Sequence, residues 1–252
     1  MEDKQCKLLL AHVEDKIQFV IKEHRIQYTS FLDPASQKRV QDLLNKCPQI
    51  GYQMFGGYPE SERKLFLLYP EYVEPEDLSF PIKGIVLNWN RHYHNLSHRD
   101  VLGALMGLGL KREKIGDIIM VEDSASVFVL EDIAPYIVQH LKAVGRATVE
   151  VQELDYNQIK IPQPKIKTIQ ATVSSPRLDS VMSAGFGISR KKSLPFIRSG
   201  NVSVNWEVTD KADYLLKEGD MISVRGMGRV RVSEIGGSTK KGRVKIFLER
   251  FL

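Results

Sequence analysis

Four basic side chains crowd one short stretch in the C-terminal third of the chain: Arg190, Lys191, Lys192 and Arg198. Ser189, directly before them, is a residue type that caps helix N-termini, and Leu194 and Ile197 follow at helical spacing. Lys and Arg bind phosphate oxygens, and a short basic helix beside a small sheet is typical of a phosphate-binding surface. The stretch therefore predicts contact with a nucleic-acid backbone.

Two short helices and a hairpin are predicted to position these side chains. Apolar residues at helical spacing mark the first helix: Leu178, Val181 and Met182. Gly200 ends the second helix, and Val202 and Val204 then alternate with polar residues, as in a half-buried strand. Pro195 lies inside the second helix, where it removes a backbone donor and is expected to kink the helix and alter the direction of Arg198.

The charge distribution supports this location. The chain has 36 Lys and Arg against 31 Asp and Glu, a formal net charge of +5. From Arg177 to Leu252 there are 15 basic against 8 acidic residues, whereas the rest of the chain carries 21 against 23. This asymmetry indicates a nucleic-acid-binding module on a nearly neutral body, with an ordinary solvated surface as the alternative.

Length and composition limit the class of protein. The 252 residues are enough for two or three domains, and 42% hydrophobic residues supply a sizeable core. Cys6 and Cys47 have neither disulfide nor metal spacing and are interpreted as reduced thiols. No signal peptide and no apolar run of about 20 residues is visible, so no membrane contact is expected. The predicted location is the cytoplasm, or the plastid stroma if the sequence is a mature organellar form.

The first 75 residues predict two helices followed by a hairpin. Residues 7–24 place apolar side chains on one helical face, and Asp33 followed by proline begins a second helix. The two strands are expected at Ile50–Phe55 and Leu65–Tyr69. We interpret this region as a scaffold without chemistry of its own.

A β-α-β-β-α-β order follows an acidic, proline-rich segment at residues 70–81, which is interpreted as a linker. The predicted elements are strand Ile82–Trp89, helix Ser97–Leu108, strands Asp117–Val121 and Ser126–Leu130, helix Ile133–Val144, and strand Thr148–Leu154. This is the order of ferredoxin-like folds and of RNA-recognition domains. Phe128 is the only aromatic residue in the third strand, and the usual stacking motifs of an RNA-recognition domain are not evident.

The histidines of the middle region are weak candidates for chemistry. His92, His94 and His98 lie close together, but no further metal ligand is near them, so no metal site is predicted. Ser97 and Asp100 are better explained as a helix cap in which the carboxylate reaches back. Glycine-rich strand-to-helix turns for a nucleotide or a methyl donor are missing, so no cofactor and no enzymatic activity is predicted.

The basic region resembles the S4 domain, a small RNA-binding module. That family has Arg-Leu-Asp, a Ser-Arg that opens the second helix, Ile-x-x-Gly-x-Val-x-Val-Asn, and a later Gly-Asp. The corresponding residues here are Arg177-Leu178-Asp179, Ser189-Arg190, Ile197 to Asn205, and Gly219-Asp220. Trp206 departs from the pattern, since many S4 domains have glycine there.

The S4 resemblance implies a set of RNA-facing residues. By position they are Arg177, Arg190, Lys191, Arg198 and Arg225. The predicted site also includes Ser189, Lys192, Asn205, Lys211 and Arg229. Asn205 is expected to add a hydrogen bond to a base or a 2′-hydroxyl. For Arg177 and Asp179 a second explanation stays open, namely a pair that braces the first helix.

A longer resemblance covers nearly the whole chain. Motifs of the first two domains are similar to those of the YlmH family of S4 proteins: Phe31-Leu32-Asp33-Pro34, Gly56-Gly57-Tyr58, Glu62-Arg63, Leu96 to Gly103, Met106 to Gly109, Arg112, and Gly116-Asp117-Ile118. Ser183 to Phe186 and Val204-Asn205-Trp206 resemble the related photosystem II S4 domain proteins.

The resemblance implies an α+β chain of three small domains. They are an N-terminal helical and hairpin domain at residues 1–75, a ferredoxin-like middle domain at 76–160, a linker at 161–175, and an S4 RNA-binding domain at 176–252. It implies a monomer that binds rRNA or tRNA on the large ribosomal subunit. A protein scaffold for cell division or photosystem assembly and an RNA-modifying enzyme with an unrecognised site stay open as alternatives.

Overall fold

The computed structural model describes residues 2–90, 95–163, 165–239 and 242–251. They form two compact units, Met1–Pro162 and Gln163–Leu252. The helices are α1 Glu2–Glu23, α2 Pro34–Leu44, α3 His98–Gly107, α4 Ala134–His140, α5 Leu178–Phe186 and α6 Arg190–Arg198. The strands are β1 Gln27–Tyr28, β2 Ile50–Phe55, β3 Leu65–Pro70, β4 Ile82–Asn88, β5 Ile115–Val121, β6 Ser124–Leu130, β7 Ala143–Val144, β8 Ala147–Thr148, β9 Glu150–Asp155, β10 Ile166–Val173, β11 Val202–Val204, β12 Glu207–Val208, β13 Met221–Val224, β14 Gly228–Ser238 and β15 Val244–Phe251.

The N-terminal domain packs α1 and α2 against a sheet in the order β1-β3-β2. Val13, Ile17 and Val20 of α1 recur at helical spacing and are buried in this core. The predicted start of α2 is confirmed, because Asp33 Oδ1 accepts a hydrogen bond from Ser36 N at 2.9 Å.

The middle domain is ferredoxin-like, as predicted. Its antiparallel sheet has the order β5-β6-β4-β9, and α3 and α4 pack on one face. The predicted capping box of α3 is present: Asp100 N donates to Ser97 Oγ, and Ser97 N donates to Asp100 Oδ2 at 2.8 Å. The prediction for α4 was wrong at its end, since the chain leaves the helix at His140 and forms the β7–β8 hairpin, in which Gly145 has φ +59°.

The other face of the middle sheet packs against the N-terminal domain. Phe128 of β6 is fully buried, and the ring of Tyr58 stacks on it with centroids 5.3 Å apart. Gly57, with φ +104°, lets the backbone approach, because a Cβ there would lie 2.2 Å from the Phe128 ring. The sheet face that RNA-recognition domains use for base stacking is thus part of the protein core.

Residues 70–81 are attached to this core and are not a free linker. Phe80 packs on Phe55 with ring centroids 5.2 Å apart, and residues Pro75–Asp77 form a short 3-10 helix. The sequence interpretation missed this because the anchoring aromatic contact joins residues 25 positions apart in the chain.

Asp117 at the start of β5 joins the two domains. Its carboxylate accepts hydrogen bonds from Tyr58 Oη at 2.9 Å, Glu62 N at 2.7 Å and Arg63 N at 3.0 Å. The Arg63 guanidinium then donates to the carbonyl oxygen of Phe31 at 2.8 Å. The family-like motifs of the first two domains therefore meet at one joint.

Arg112 completes this joint. Its guanidinium donates to the carbonyl oxygens of Ile115 and Gly116, and Arg63 Nε also donates to the Ile115 carbonyl, at 3.1 Å. Burial, and next the positive charge of Arg63, lower the pKa of Arg112 to about 10. The side chain therefore stays charged at neutral pH and keeps both hydrogen bonds.

Asp117→Ala is expected to lower the free energy of unfolding of the N-terminal unit by about 2–4 kcal/mol, because it leaves two part-buried N–H groups and one hydroxyl without their acceptor. The measurement is urea unfolding by circular dichroism. Asp132→Ala is the matched control: Asp132 forms an exposed pair with Lys114, and its loss should cost about 0–1 kcal/mol. Equal losses in the two variants would contradict the role of Asp117.

The C-terminal unit is a sheet in the order β10-β15-β14-β13-β11-β12 with α5 and α6 on one face. Val181, Met182 and Ile197 pack against the sheet residues Val230 and Leu248. All strand pairs are antiparallel. The sheet of this unit is called the S4 sheet below.

The predicted linker at residues 161–175 was wrong for most of its length. Ile166–Val173 form β10, which pairs with all of β15 from Ile166↔Phe251 to Val173↔Val244. The pairing partner lies more than 70 residues further along the chain, so no local sequence pattern predicts this strand. The C-terminal unit consequently begins before the first S4 motif.

Candidate nucleic-acid interface

The start of α6 presents the predicted basic side chains to solvent. Ser189 Oγ caps the helix by accepting a hydrogen bond from Lys192 N at 3.2 Å, as predicted. Lys191 and Lys192 are exposed, and they lie in the first turn, where the helix dipole adds positive potential. Both features favour an anion at this helix end.

Arg190 is held by Asp179 of α5. Its Nη2 and Nε donate to Asp179 Oδ2 at 2.6 and 3.2 Å, and Arg177 Nε donates to Asp179 Oδ1 at 3.4 Å. Asp179 is only 5% exposed. The structure thus supports the bracing explanation that the sequence left open for Arg177 and Asp179, and it extends the brace to Arg190.

The Asp179 carboxylate is stabilised in its charged form. Burial alone would raise its pKa. A larger opposite effect comes from the hydrogen bond and charge of Arg190, the charge of Arg177 and the hydrogen bond of the Ser180 hydroxyl, so the pKa of Asp179 lies below its ordinary value. Ser193 Oγ donates to the Arg190 carbonyl at 2.7 Å. The ion pair between Asp179 of α5 and Arg190 of α6 is therefore charged at neutral pH and connects the two helices.

The loop that carries Lys211 is tied to the start of α5. Leu178 N donates to the Tyr214 carbonyl at 2.9 Å, and Asp179 N donates to the Ala212 carbonyl at 3.1 Å. Lys211 itself is exposed. Five basic residues therefore lie around the start of α6, and we call them the α6-start cluster: Arg177, Arg190, Lys191, Lys192 and Lys211. The contacts of Arg177 and Arg190 with Asp179 are called the brace below.

A second group of basic residues lies at the other end of α6. Arg198 ends the helix, and Gly200, with φ +70°, turns the chain into β11. Arg225 N donates to the Asn201 carbonyl at 2.9 Å, which fixes the β13–β14 turn beside this helix end. Arg198, Arg225 and Arg229 are exposed and form what we call the turn cluster.

The nine residues of α6 connect the two clusters over a helix length of about 13 Å. The backbone hydrogen bonds of the helix continue past Pro195, whose carbonyl accepts from Ser199 N at 3.0 Å. The helix therefore carries Lys191 and Arg198 on one continuous element.

Asn205 has a structural role that the sequence did not reveal. With Trp206 it forms the two-residue β11–β12 turn, at φ +49° and +66°. Asn205 Oδ1 accepts from Met221 N at 2.9 Å, and Asn205 Nδ2 donates to Asp220 Oδ1 at 2.8 Å. Asp220, for which the sequence analysis predicted no role, is its partner, and the Gly-Asp of the S4 pattern was the available signal. Both ends of the predicted RNA-binding amide are engaged by residues at the start of β13.

The sequence predicted neither a metal site at the clustered histidines nor a membrane-spanning segment. His92 and His94 lie outside the described residues. Among the residues that the structure does describe, no group of three or more His, Cys, Asp or Glu side chains is arranged to hold a metal ion. In the same part of the chain no helix has the length and apolar character to cross a membrane.

The fold and the basic surface together define an S4-domain protein with a ferredoxin-like middle domain. Family models agree along the chain: "YlmH, N-terminal" matches residues 7–73, "Putative RNA-binding domain in YlmH" matches 75–158, and "S4 domain" matches 176–222. The "Ribosome-associated protein quality control protein P2" of Bacillus subtilis (strain 168) is 36% identical over 231 residues, 92% of this chain and 90% of that protein. The chain belongs to the YlmH family.

Two further similarities are more limited. The solved structure "Cell division protein ylmH from Streptococcus pneumoniae" is 25% identical, with a TM-score of 0.52, over 62% of this chain and 95% of that chain. An "Uncharacterized RNA pseudouridine synthase" of Aquifex aeolicus (strain VF5) is 42% identical over 50 residues, 20% of this chain and 21% of that protein.

Proposed function

We propose that this chain is a non-enzymatic RNA-binding protein that acts on the large ribosomal subunit, as a monomer in the cytoplasm. Its ligand is structured RNA, rRNA or tRNA, on subunits that carry stalled translation products. The observation that carries the proposal is the exposed pair Lys191 and Lys192 at the N-terminus of a helix in an S4 domain. The name of the Bacillus subtilis relative supports the ribosomal part.

The mechanism is positioning. Lys191 and Lys192 neutralise phosphates, and the dipole of α6 adds to their attraction. Arg190 and Arg177 keep α5 and α6 in register through Asp179, and their outward N–H groups face the same RNA backbone. The turn cluster, which includes Arg198, extends the basic surface to the other end of the helix. Ser189 caps the start of α6, and Asn205 holds the β11–β12 turn in place.

A scaffold function in cell division is the second candidate. The name of the Streptococcus pneumoniae protein, a cell division protein, favours it. In that case RNA binding is secondary, and loss of Lys191 and Lys192 leaves the function intact. An RNA-modifying activity is less well supported, since the similarity to a pseudouridine synthase extends over only 20% of this chain.

Purified protein is expected to co-sediment with large ribosomal subunits and to be released by salt. If about three phosphates are neutralised, log affinity should fall with log salt concentration at a slope of about −2 to −3. Sucrose-gradient sedimentation between about 50 and 200 mM salt measures this slope. Protein that stays at the top of the gradient at every salt concentration would remove the ribosome from the proposal.

A further inference from the structure

The outer face of the S4 sheet, opposite α5 and α6, carries one row of residues across every strand. Strand pairing places the following side chains in line: Ile166, Phe251, Arg229, Ser223, Ser203 and Val208. Alternation along each strand directs this row away from the buried core, because Val204, Ile222 and Val230, which flank residues of the row, are buried. Most of the row lies outside the residues matched by the S4 model, which ends at residue 222.

The row combines apolar and cationic groups. The Arg229 guanidinium carbon lies 5.8 Å from the centroid of the Phe251 ring, a cation–π distance. Val208, 64% exposed, supplies an apolar surface at the far end of the row. Ser203 and Ser223 lie directly opposite each other between these ends and offer hydroxyl groups. Flat aromatic and guanidinium surfaces beside hydroxyl donors suit a nucleobase.

A depression of about 430 Å³ lies beside this row. It is lined by side chains or backbone of Gly200, Asn201, Ser203, Val208, Ser223, Arg225 and Arg229. Gly200 comes two residues after the end of α6, so the depression continues the surface that holds Arg198. An RNA strand bound along α6 would therefore reach the depression without leaving the protein surface.

We propose that this face binds a short unpaired segment of the RNA, with one base against the Arg229–Phe251 pair, another against Val208 three strands away along the row, and a phosphate at Arg225. The proposal rests on the proposed function, since it names an additional part of the same RNA. A paired base cannot reach these groups, because a duplex presents phosphates and riboses to a protein surface and keeps its base faces stacked. The positive charge of Arg225 and Arg229 complements the phosphate.

The test compares two fluorescent RNA hairpins that differ only in a five-nucleotide, single-stranded uridine tail. For the wild-type protein the tail is expected to tighten binding about fivefold or more in fluorescence anisotropy, because base stacking on protein side chains is worth this much. The double variant Val208→Thr, Phe251→Leu should lose the gain from the tail and bind the blunt hairpin within about twofold of wild type.

Phe247→Leu is the matched control. Phe247 is a half-buried phenylalanine on the same strand and the same face, but its partner on β14 is Glu234 and it lies four residues from Phe251. It should keep the full gain from the tail. Thermal melting confirms that each variant is folded.

The outcomes separate this inference from the proposed function. If wild type binds both hairpins equally, or if Phe247→Leu loses the gain as fully as the double variant, the nucleotide site is wrong while RNA binding stands. If a hexaglutamate peptide displaces the tail as well as oligouridine does, the face binds acidic peptides and the nucleotide site is again wrong. If neither hairpin binds, the proposed function fails and the site fails with it.

Discussion

Replacing Lys191 and Lys192 together with glutamate is expected to weaken binding to large ribosomal subunits about 100-fold at moderate salt. Each reversal removes a phosphate contact and adds a repulsive charge, and a loss of about 3 kcal/mol corresponds to this factor. The fold should be unaffected, since both side chains are exposed and the Ser189 cap uses only the backbone N–H of Lys192. Quantitative co-sedimentation with purified subunits measures the affinity.

Lys167→Glu with Lys217→Glu is the control for total charge. Both lysines are exposed in the same unit, and the double reversal changes the net charge by the same amount. It should weaken binding by less than about fivefold, through the long-range field alone. If the two double variants are equally weak, binding depends on net charge and the α6-start cluster is not the anchor. If the Lys191 and Lys192 variant binds like wild type, the contact lies elsewhere on the chain.

Arg190→Ala is expected to lower the free energy that holds α5 and α6 together by about 1–3 kcal/mol. The substitution leaves the buried Asp179 carboxylate with only the longer contacts from Arg177 and the Ser180 hydroxyl. Removing one partner of a buried ion pair costs about 3–5 kcal/mol, and the loss is smaller here because the Arg190 side chain is 51% exposed. Native-state hydrogen exchange of peptides from residues 178–198 measures the change locally. Arg198→Ala, at the exposed opposite end of the same helix, should change it by less than about 0.5 kcal/mol. Equal protection in both variants would show that the brace contributes nothing.

The pH dependence of the same exchange provides a second check on the brace. The pKa of Asp179 is lowered in the folded state, so its stabilisation is complete above the ordinary carboxyl pKa of about 4. It is lost as pH falls through the lower folded-state pKa. Asp179→Asn should therefore be less stable than wild type near neutral pH, and the difference should shrink at acid pH. A difference that stays constant with pH would exclude the carboxylate charge as its source.

Local signals in the sequence predicted the helix starts well and some helix ends badly. Asp33, Ser97 and Ser189 act within three residues of their own positions, so their capping roles follow from the sequence. The end of α4 depends on whether residues 143–148 gain more from a hairpin than from two further helical turns, and that choice is decided by tertiary packing of Val144 and Ala147. Strand β10 was missed for a related reason, because its pairing partner is distant.

For the candidate site, the residue types were predictable but their engagement was not. The basic character of α6 follows from composition, yet the sequence does not say that Arg190 turns to Asp179 while Lys191 and Lys192 remain exposed. The amide of Asn205 is likewise assigned to a turn only when Asp220, 15 residues later, is seen beside it. Neighbours that are distant in the chain decide which polar groups remain for a ligand.

The pairing of β10 with β15 determines where the C-terminal unit can be cut from the rest of the chain. A fragment that begins at residue 176, where the S4 match begins, would lack β10 and leave the eight-residue strand β15 with an unpaired backbone edge. Such an open edge, with Phe247 and Phe251 on its outer face, is a template for pairing with a second molecule. A fragment beginning at Gln163 keeps the edge closed. The C-terminal unit of this chain therefore needs its first strand, β10, to pair the exposed edge of its last strand, β15.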